Sequence, residues 1–268
     1  MCMGFGCNAA GVVGCRIIDS PRERMAAMLT NALVPCNGRF PALIAIITVF
    51  FAGSAAVGAL LLAGLVSLGA AMTLLCSRFL TATVLRGMPS FFALELPPYR
   101  HADVGQILLR SLLDRTVFVL GRALAVAAPA GALIWGLNQL GLISALSAFL
   151  DPPGRLLGLN GMILLAFILG LPANEIVIPI ILMCVLSQNK LTEYASLTEL
   201  GSILRSAGWT AKTALCFLLF TQFHWPCSTT LLTIRHETNS WKWTLLAAAL
   251  PTALGAGLCI LVNLLWQI

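Results

Sequence analysis

Charged residues are scarce in this sequence. Asp, Glu, Lys and Arg make up 10% of the 268 residues, whereas a soluble domain has about 25%. Hydrophobic residues make up 59%, and the mean hydropathy is +0.94. The alternation of apolar and polar residues that is typical of a membrane-spanning strand is missing too, and the apolar runs are too long for such strands. The composition predicts an integral membrane protein built of helices.

Lysine and tyrosine are rare, with three and two residues, and no patch combines basic with aromatic residues. Nucleic acid is therefore not an expected partner, although the formal net charge is +6. In a membrane protein, excess Lys and Arg mark cytoplasmic loops. Residues 78–122 hold six Arg against three acidic residues, which predicts that this segment faces the cytoplasm.

Two common site patterns are also missing. The sequence has no GxxxxGK[ST] loop for nucleotide phosphates, since none of its lysines follows such a glycine pattern. Its nine cysteines form no CxxC, and no HxxxH is present, so a structural zinc site is not expected. Because the cysteine count is odd and several lie in apolar runs, a disulfide framework is not expected either.

The apolar runs predict the helices. The run 40–86 is too long for a single span of about 20 residues, so we expect two helices divided at Gly53-Ser54. Ser20, Pro21 and Glu23 predict the start of a short helix that ends before Pro35. The remaining expectations are an amphipathic helix at 103–114, spans at 116–137 and 243–267, a broken span at 161–187 and a Gly/Pro loop at 138–160.

Glu175 is the most informative residue of the broken span. It lies in the apolar run 163–186, where an ionisable carboxylate costs about 2.5 to 3.5 kcal/mol on insertion scales. Pro172 and Pro179 flank it and predict an interruption of the helix. The carbonyl groups freed by such a break, together with a carboxylate, are typical of a cation site in a transporter.

A weak internal repeat accompanies this break. Residues 4–8 (Gly-Phe-Gly-Cys-Asn) align with residues 170–174 (Gly-Leu-Pro-Ala-Asn) at an offset of 166, and Pro35-Cys36 aligns with Pro226-Cys227 at an offset of 191. Paired breaks of this kind place a substrate site between the halves of repeated transporters. Chance similarity between Gly- and Ala-rich segments is the other explanation.

Several motifs occur together in the order of a known family. Residues 3–8, 16–24 and 35–41 (Pro-Cys-Asn-Gly-Arg-Phe-Pro) resemble the first Gate motif of FeoB, the prokaryotic ferrous iron transporter. Residues 94–100 (Leu-Glu-Leu-Pro-Pro-Tyr-Arg) resemble its linker, and residues 171–177 (Leu-Pro-Ala-Asn-Glu-Ile-Val) its second Gate motif. Residues 225–227 and 235–237 are similar to the cysteine segment that follows. The sequence departs from the family at Asn174, where Lys is usual, and at Ala9-Ala10, where Val-Pro is usual.

The resemblance implies an all-α, polytopic transmembrane bundle with two broken-helix Gate motifs, incomplete at its N-terminus. It implies a truncated first Gate region at 1–86, a cytoplasmic linker with an amphipathic helix at 87–115, and a second Gate region with a C-terminal helix at 116–268. Fe²⁺ would pass between the two Gate motifs. The pathway residues would be Cys7, Asn8, Cys36, Asn174, Glu175 and Cys227, with His224 as a weaker candidate.

The resemblance also implies how the chain works with other molecules. No catalytic residue and no permanently bound cofactor are expected, and GTP enters only through the family's N-terminal G domain, which is not in this sequence. The chain alone is therefore not expected to be an enzyme. The implied partners are membrane lipid, Fe²⁺, a separate G-domain chain, small accessory iron-transport proteins and further copies of the chain, at the bacterial inner membrane.

Three alternatives remain open on the sequence. The chain could be a nucleoside or other small-solute permease of the Gate type, or a non-transporting membrane fragment or scaffold subunit. Glu175 could have a structural role, paired with Asn8 or with Arg122. The other cysteines of the apolar runs are expected to pack as small hydrophobic residues; these are Cys76, Cys184, Cys216 and Cys259.

Overall fold

The computed structural model describes residues 2–51, 53–85, 104–110, 118–186 and 196–266. Every regular element in these ranges is helical, so the all-α prediction is confirmed. The α-helices are α1 Asn8–Gly14, α2 Pro21–Thr30, α3 Phe40–Phe50, α4 Ala55–Thr83, α5 Val104–Arg110, α6 Phe118–Gln139, α7 Leu142–Leu156, α8 Gly161–Leu169, α9 Val177–Val185, α10 Leu197–Ser206, α11 Ala211–Phe223, α12 Ser228–Thr238 and α13 Trp241–Leu265.

Two of the described helices are long and apolar enough to cross a membrane. They are α4, with 29 residues, and α13, with 25 residues. A third span results if residues 131–137 and α7, which meet at a bend of 93°, are counted as one broken helix. Several other apolar helices are much shorter than the roughly 20 residues of a span, because they end at breaks inside the bundle.

The predicted breaks are present. The run 40–86 divides into α3 and α4 on either side of residues 51–54. The span 161–187 is interrupted between α8 and α9 by residues 170–173 and a 3₁₀ turn at Asn174–Ile176. Ser20 caps α2 as predicted, since its hydroxyl accepts a hydrogen bond from the Glu23 amide at 3.4 Å.

The loop predicted at 138–160 is wrong. Residues 142–156 form α7, and only 157–160 connect it to α8. Pro152 and Pro153 lie within the last turns of α7, where the sequence pattern suggested a break. The connection is tight: Asn160 caps α8, and the Asp151 carboxylate accepts a hydrogen bond from the Gly161 amide at 3.1 Å. The two helices form a hairpin that holds the start of the broken span.

Part of the linker lies outside the described residues. Residues 86–103, which include the motif at 94–100, are not described. The structure describes Val104–Arg110 of the amphipathic helix predicted at 103–114. The polar segment 188–208 contains α10 in its second part, while residues 187–195 are not described.

The main hydrophobic core joins the two halves of the sequence. It buries side chains of α3 from the first half against α8, α9 and α11 from the second, with Ile46, Phe167, Ile180 and Phe217 almost fully buried. Helix α1 likewise packs on α12, and α3 packs on α11. Each half therefore completes its fold on the other, and the breaks of both halves are brought to one place.

Candidate functional site

A cavity of about 240 Å³ lies where the helix breaks of the two halves meet. It is lined by residues from four places where helices begin or are interrupted. These are the start of α1 (Gly6, Cys7 and Asn8), the break between α2 and α3 (Cys36, Asn37 and Gly38), the break between α8 and α9 (Pro172, Ala173, Asn174 and Glu175) and the start of α12 (Cys227 and Thr229). These include all six residues that the sequence singled out for a pathway. Their sequence positions span more than two hundred residues, so the fold itself brings them together.

The first half provides two thiols and an amide. Cys7 precedes α1 in an extended conformation, and Asn8 begins the helix. Asn8 is 2% exposed, yet neither its amide oxygen nor its amide nitrogen has a hydrogen-bond partner in the described structure. Cys36 lies in the break between α2 and α3 and is buried. A buried, unpartnered amide is costly, which points to a polar occupant of this cavity.

The second half provides a thiol, an amide and a carboxylate. Cys227 precedes α12 and approaches the Thr230 hydroxyl at 3.3 Å. Asn174 begins the 3₁₀ turn after the break and is 6% exposed, and its amide nitrogen has no partner among the described residues. Glu175 follows it and contributes to the same wall.

Within each half, an equivalent main-chain hydrogen bond joins the two breaks of that half. In the first half the main-chain N–H of Asn37, which follows Pro35-Cys36, donates to the Gly6 carbonyl at 3.3 Å. In the second half the amide of Ser228, also just after Pro-Cys, donates to the Leu171 carbonyl at 2.8 Å. The acceptors differ by one position in the repeat alignment. This shared geometry supports the internal repeat over chance similarity.

Glu175 is not buried as its apolar sequence context suggested. Its side chain is exposed at the cavity rim, while Asn174 beside it is buried. The alternative pairing of Glu175 with Asn8 is not formed, since the Asn8 amide makes no hydrogen bond. The Arg122 side chain lies outside the described part of the structure. Glu175 therefore lines the cavity and forms no ion pair within the described structure.

His224, the weaker candidate, does not line the cavity. It is 1% exposed and packs between aromatic rings, with Phe167 at 5.0 Å and Trp225 at 5.9 Å between ring centroids. Its Nδ1 lies 3.1 Å from the Phe220 carbonyl and 2.9 Å from the Thr221 carbonyl. Its Nε2 lies 3.3 Å from the Asn174 amide. His224 therefore contacts the cavity residue Asn174 without lining the cavity itself.

Arg39 is a functional-site residue that the sequence analysis missed. Its side chain is fully buried, and it donates to main-chain carbonyls of both halves. The four acceptors are the carbonyls of Ala32, Gln222 and His224, each at 2.9 Å, and Trp225 at 3.2 Å. An arginine next to a Pro-Cys break in an apolar sequence was the available signal.

The cavity was compared with the spacing that a bound metal ion needs. Among the described residues, no three His, Cys, Asp or Glu side chains come close enough together to hold a metal ion. A larger cavity, about 440 Å³, lies between α3 and α4, but its wall is formed by aliphatic and small side chains such as Ile44, Ile47 and Leu62. Of these two cavities, the smaller one combines thiols, a carboxylate and amides without a partner among the described residues.

The four cysteines of the apolar runs lie elsewhere. Cys216 and Cys259 are buried between α11 and α13, where the Cys259 thiol donates to the Cys216 carbonyl at 3.3 Å. Cys76 lies on α4, and Cys184 lines a different cavity, next to α7. None of the four lines the site cavity, as expected for packing residues.

Two family models match parts of the chain. Residues 120–241 match the Gate family, described as nucleoside recognition, and residues 62–114 match the family described as the C terminus of ferrous iron transport protein B. Together the two matches cover more than half of the chain. No solved structure matches it.

Curated relatives extend the similarity over nearly the whole chain. It is 27% identical over 263 residues to the Fe(2+) transporter FeoB of Staphylococcus aureus strain COL, covering 94% of this chain and 38% of the relative. It is 23% identical over 286 residues to FeoB of Methanocaldococcus jannaschii, covering 99% and 40%. A fusion of Fe(2+) transport protein A with FeoB from Porphyromonas gingivalis is 23% identical over 293 residues, covering 90% and 34%. The chain thus spans 40% or less of the length of these relatives, and it belongs to the FeoB family, whose C-terminal membrane portion it matches.

Proposed function

We propose that this chain conducts Fe²⁺ across the bacterial inner membrane as the membrane part of a FeoB-type transporter. The observation that carries the proposal is the cavity between the halves, where Cys7, Cys36 and Cys227 meet Glu175. Fe²⁺ is a borderline cation that accepts both sulfur and carboxylate ligands. The amides of Asn8 and Asn174 line the same cavity and add groups that can replace bound water.

A pathway needs ligands that strip water from the ion and still release it. The loose spacing of the described ligands, with no cluster of three able to hold a metal, suits transient coordination better than storage. The exposed position of Glu175, in the same cavity as the buried Cys36, suits entry of a hydrated cation. In this proposal Glu175 attracts the ion, and the thiols and amides pass it between the two Gate motifs.

Energy coupling in this proposal comes from outside the 268 residues. The sequence contains no phosphate-binding loop, so GTP acts through a G domain on another chain or another stretch of the protein. The chain itself is then a permease without a catalytic residue. A relative named as a fusion with Fe(2+) transport protein A supports a small accessory partner. Multi-pass insertion and assembly of several copies belong to the same proposal.

Nucleoside transport is not favoured. A nucleobase is bound best where aromatic side chains can stack on it, but the described lining of the cavity contains no aromatic residue. Its volume of about 240 Å³ is enclosed mainly by helix-break backbone, cysteines and amides. This set of groups fits a small cation better than a nucleoside.

The proposal can be tested by uptake of radioactive ferrous iron in bacteria that lack their own ferrous uptake. The cells would express this chain with a matching FeoB G domain. We expect Cys36→Ser and Glu175→Gln to lower uptake about tenfold or more, since one lost ligand contact worth about 1.4 kcal/mol corresponds to a factor of ten. Cys184→Ser, which alters a cysteine outside the cavity, is the matched control and should leave uptake unchanged.

Two results would count against the proposal. Full uptake by both cavity variants, at equal amounts of protein in the membrane, would remove the site assignment. Failure of the unaltered chain to transport iron with any G domain would favour the alternative of a non-transporting scaffold.

A further inference from the structure

The contact between His224 and Asn174 fixes which atoms of each side chain face one another. Nδ1 of His224 lies within hydrogen-bond distance of two main-chain carbonyl oxygens, those of Phe220 and Thr221. A carbonyl oxygen can only accept a hydrogen bond. Nδ1 must therefore carry a proton, because without it three electron-rich atoms would face each other with no donor.

The imidazole is also neutral. It is 1% exposed and surrounded by the rings of Phe167, Phe220 and Trp225. The guanidinium of Arg39 is bonded to the main-chain carbonyl of His224 itself. A second buried cation beside Arg39 would lose its hydration and be repelled. With its single proton on Nδ1, the ring has an unprotonated Nε2, which can only accept.

The acceptor at Nε2 decides the orientation of the Asn174 amide. With the Asn174 amide oxygen facing Nε2 at 3.3 Å, two acceptors would be in contact and the amide nitrogen would be buried without a partner. Amide oxygen and nitrogen are assigned from the hydrogen-bond network. Turning the amide by 180° gives both His224 Nε2 and the Asn174 NH₂ a hydrogen-bond partner, because the NH₂ then donates to Nε2. The amide oxygen then takes the position that has no protein partner.

We infer that His224 is a positioning residue that holds the Asn174 amide with its oxygen free as a cation ligand of the cavity. This inference rests on the proposed function for the identity of the cation. Asn174 lines the cavity together with Asn8, its equivalent in the repeat, whose amide is also buried and unpartnered. The two halves would then offer matching amide oxygens, a hard ligand pair beside the softer thiols.

The first test reads the hydrogen bond directly. ¹⁵N NMR of the full chain with labelled histidine, in lipid nanodiscs, distinguishes protonated from unprotonated ring nitrogens. The chain has only three histidines, and the signal lost in His224→Phe identifies His224. We expect a protonated Nδ1 and an unprotonated Nε2 that accepts from the Asn174 NH₂. A protonated Nε2 would overturn the inference.

The second test asks whether the hydrogen bond serves the cation. Mn²⁺, which prefers oxygen ligands, is used as the probe, and its binding is measured by electron paramagnetic resonance. We expect His224→Phe and Asn174→Leu each to weaken binding about tenfold or more, the usual effect of losing a supporting hydrogen bond to a metal ligand. The double variant should bind no more weakly than Asn174→Leu alone, and His224→Gln, which can still accept, should recover part of the affinity.

The outcomes separate the inference from the proposed function. Losses that add in the double variant, or a His224→Phe variant that binds Mn²⁺ normally, would overturn the positioning role. Thermal unfolding of His224→Phe checks that the aromatic cluster still packs. If the unaltered chain bound no Mn²⁺, the cation pathway itself would be contradicted, whereas the NMR result would still decide the orientation of Asn174.

Discussion

At the scale of single residues, the centre of the molecule depends on Arg39. A break exposes carbonyl groups that an intact helix would satisfy, and the C-terminal end of a helix carries a partial negative charge. The Arg39 guanidinium supplies both the hydrogen bonds and the positive charge. It donates to carbonyls at the end of α11 and just after it (Gln222, His224 and Trp225), and to the Ala32 carbonyl in the first half. One side chain thereby replaces water for two broken helices.

Substitution of Arg39 should destabilise the whole bundle. Arg39→Leu leaves several buried carbonyls unpaired, and each such group costs about 1 to 3 kcal/mol. We expect a loss of about 3 kcal/mol or more, read as a much lower unfolding temperature of the purified chain in detergent. Arg39→Lys should be intermediate, because an ammonium cannot form the planar fork that reaches both halves.

Arg78, exposed on α4, provides the control. Arg78→Leu should unfold close to the temperature of the unaltered chain. Equal unfolding temperatures for the two leucine variants would show that Arg39 is not a structural link between the breaks.

The sequence predicted the cavity residues but not the residues that support them. Asn8, Glu175 and Cys36 stand out locally, because polar or ionisable groups next to Gly and Pro are unusual in apolar runs. The roles of Arg39 and His224 depend on which helix ends meet. The hydrogen bond from Arg39 to the Gln222 carbonyl joins positions 183 residues apart, and no local pattern specifies such a pairing.

At the scale of elements, hydropathy located most helices, since an apolar run longer than one span must divide. It failed at α7, where Pro152 and Pro153 were interpreted as loop residues. A proline breaks a helix only where its ring clashes or its missing amide proton is needed, and the last turns of α7 tolerate both residues. Whether a Pro ends a helix or lies within it depends on packing, here of α7 against α8.

Helix α4 needs a glycine where it passes the break. A Cβ at Gly69 would lie 2.4 Å from Gln222 Nε2 and 2.9 Å from the Leu33 carbonyl oxygen. Gln222 is fully buried and donates to that same carbonyl at 3.1 Å, so neither group can move aside freely. Gly69→Ala should therefore destabilise the chain by about 1 to 3 kcal/mol, the usual cost of overpacking, as measured by thermal unfolding.

Gly64, five residues earlier on α4, offers a matched control. A Cβ there has no atom within 4 Å, and alanine is favoured over glycine inside a helix by up to about 1 kcal/mol. Gly64→Ala should be neutral or slightly stabilising. If both alanine variants behaved alike, the close approach of α4 to Gln222 would be wrong.

At the scale of the whole molecule, the two halves are interlocked by a pair of helices. Helix α1 runs from Asn8 at the cavity, and α12 runs from the Cys227 break, and the two pack together. At their far ends, Arg16, which follows α1, bonds Glu237 in the last turn of α12 through two contacts, at 2.6 Å and 2.9 Å. This ion pair joins the first half to the second at the opposite end of the α1–α12 pair from the cavity.

The ion pair should give the fold a dependence on acid. The hydrogen bond from Arg16 lowers the pKa of Glu237 below its ordinary value of 4.5. A lowered pKa means that the folded state favours the carboxylate, so the stabilisation is fully present above pH 4.5 and is lost as the pH falls through the lower folded value. Glu237→Gln should unfold at a slightly lower temperature at neutral pH and should lose this part of the acid dependence. An unchanged acid profile would contradict the assignment.

Charge reversal tests whether the two halves meet through this pair in solution. Arg16→Glu and Glu237→Arg should each lower the unfolding temperature, because each places two like charges together. The decrease should be small, because exposed ion pairs contribute little to stability. The double reversal should recover most of the loss, since it restores opposite charges at the same separation. High salt should reduce all three differences through screening, whereas it should not change the effect of Gly69→Ala, which is steric. Recovery in the double variant requires positions 16 and 237 to lie side by side, which happens only if α1 of the first half packs along α12 of the second.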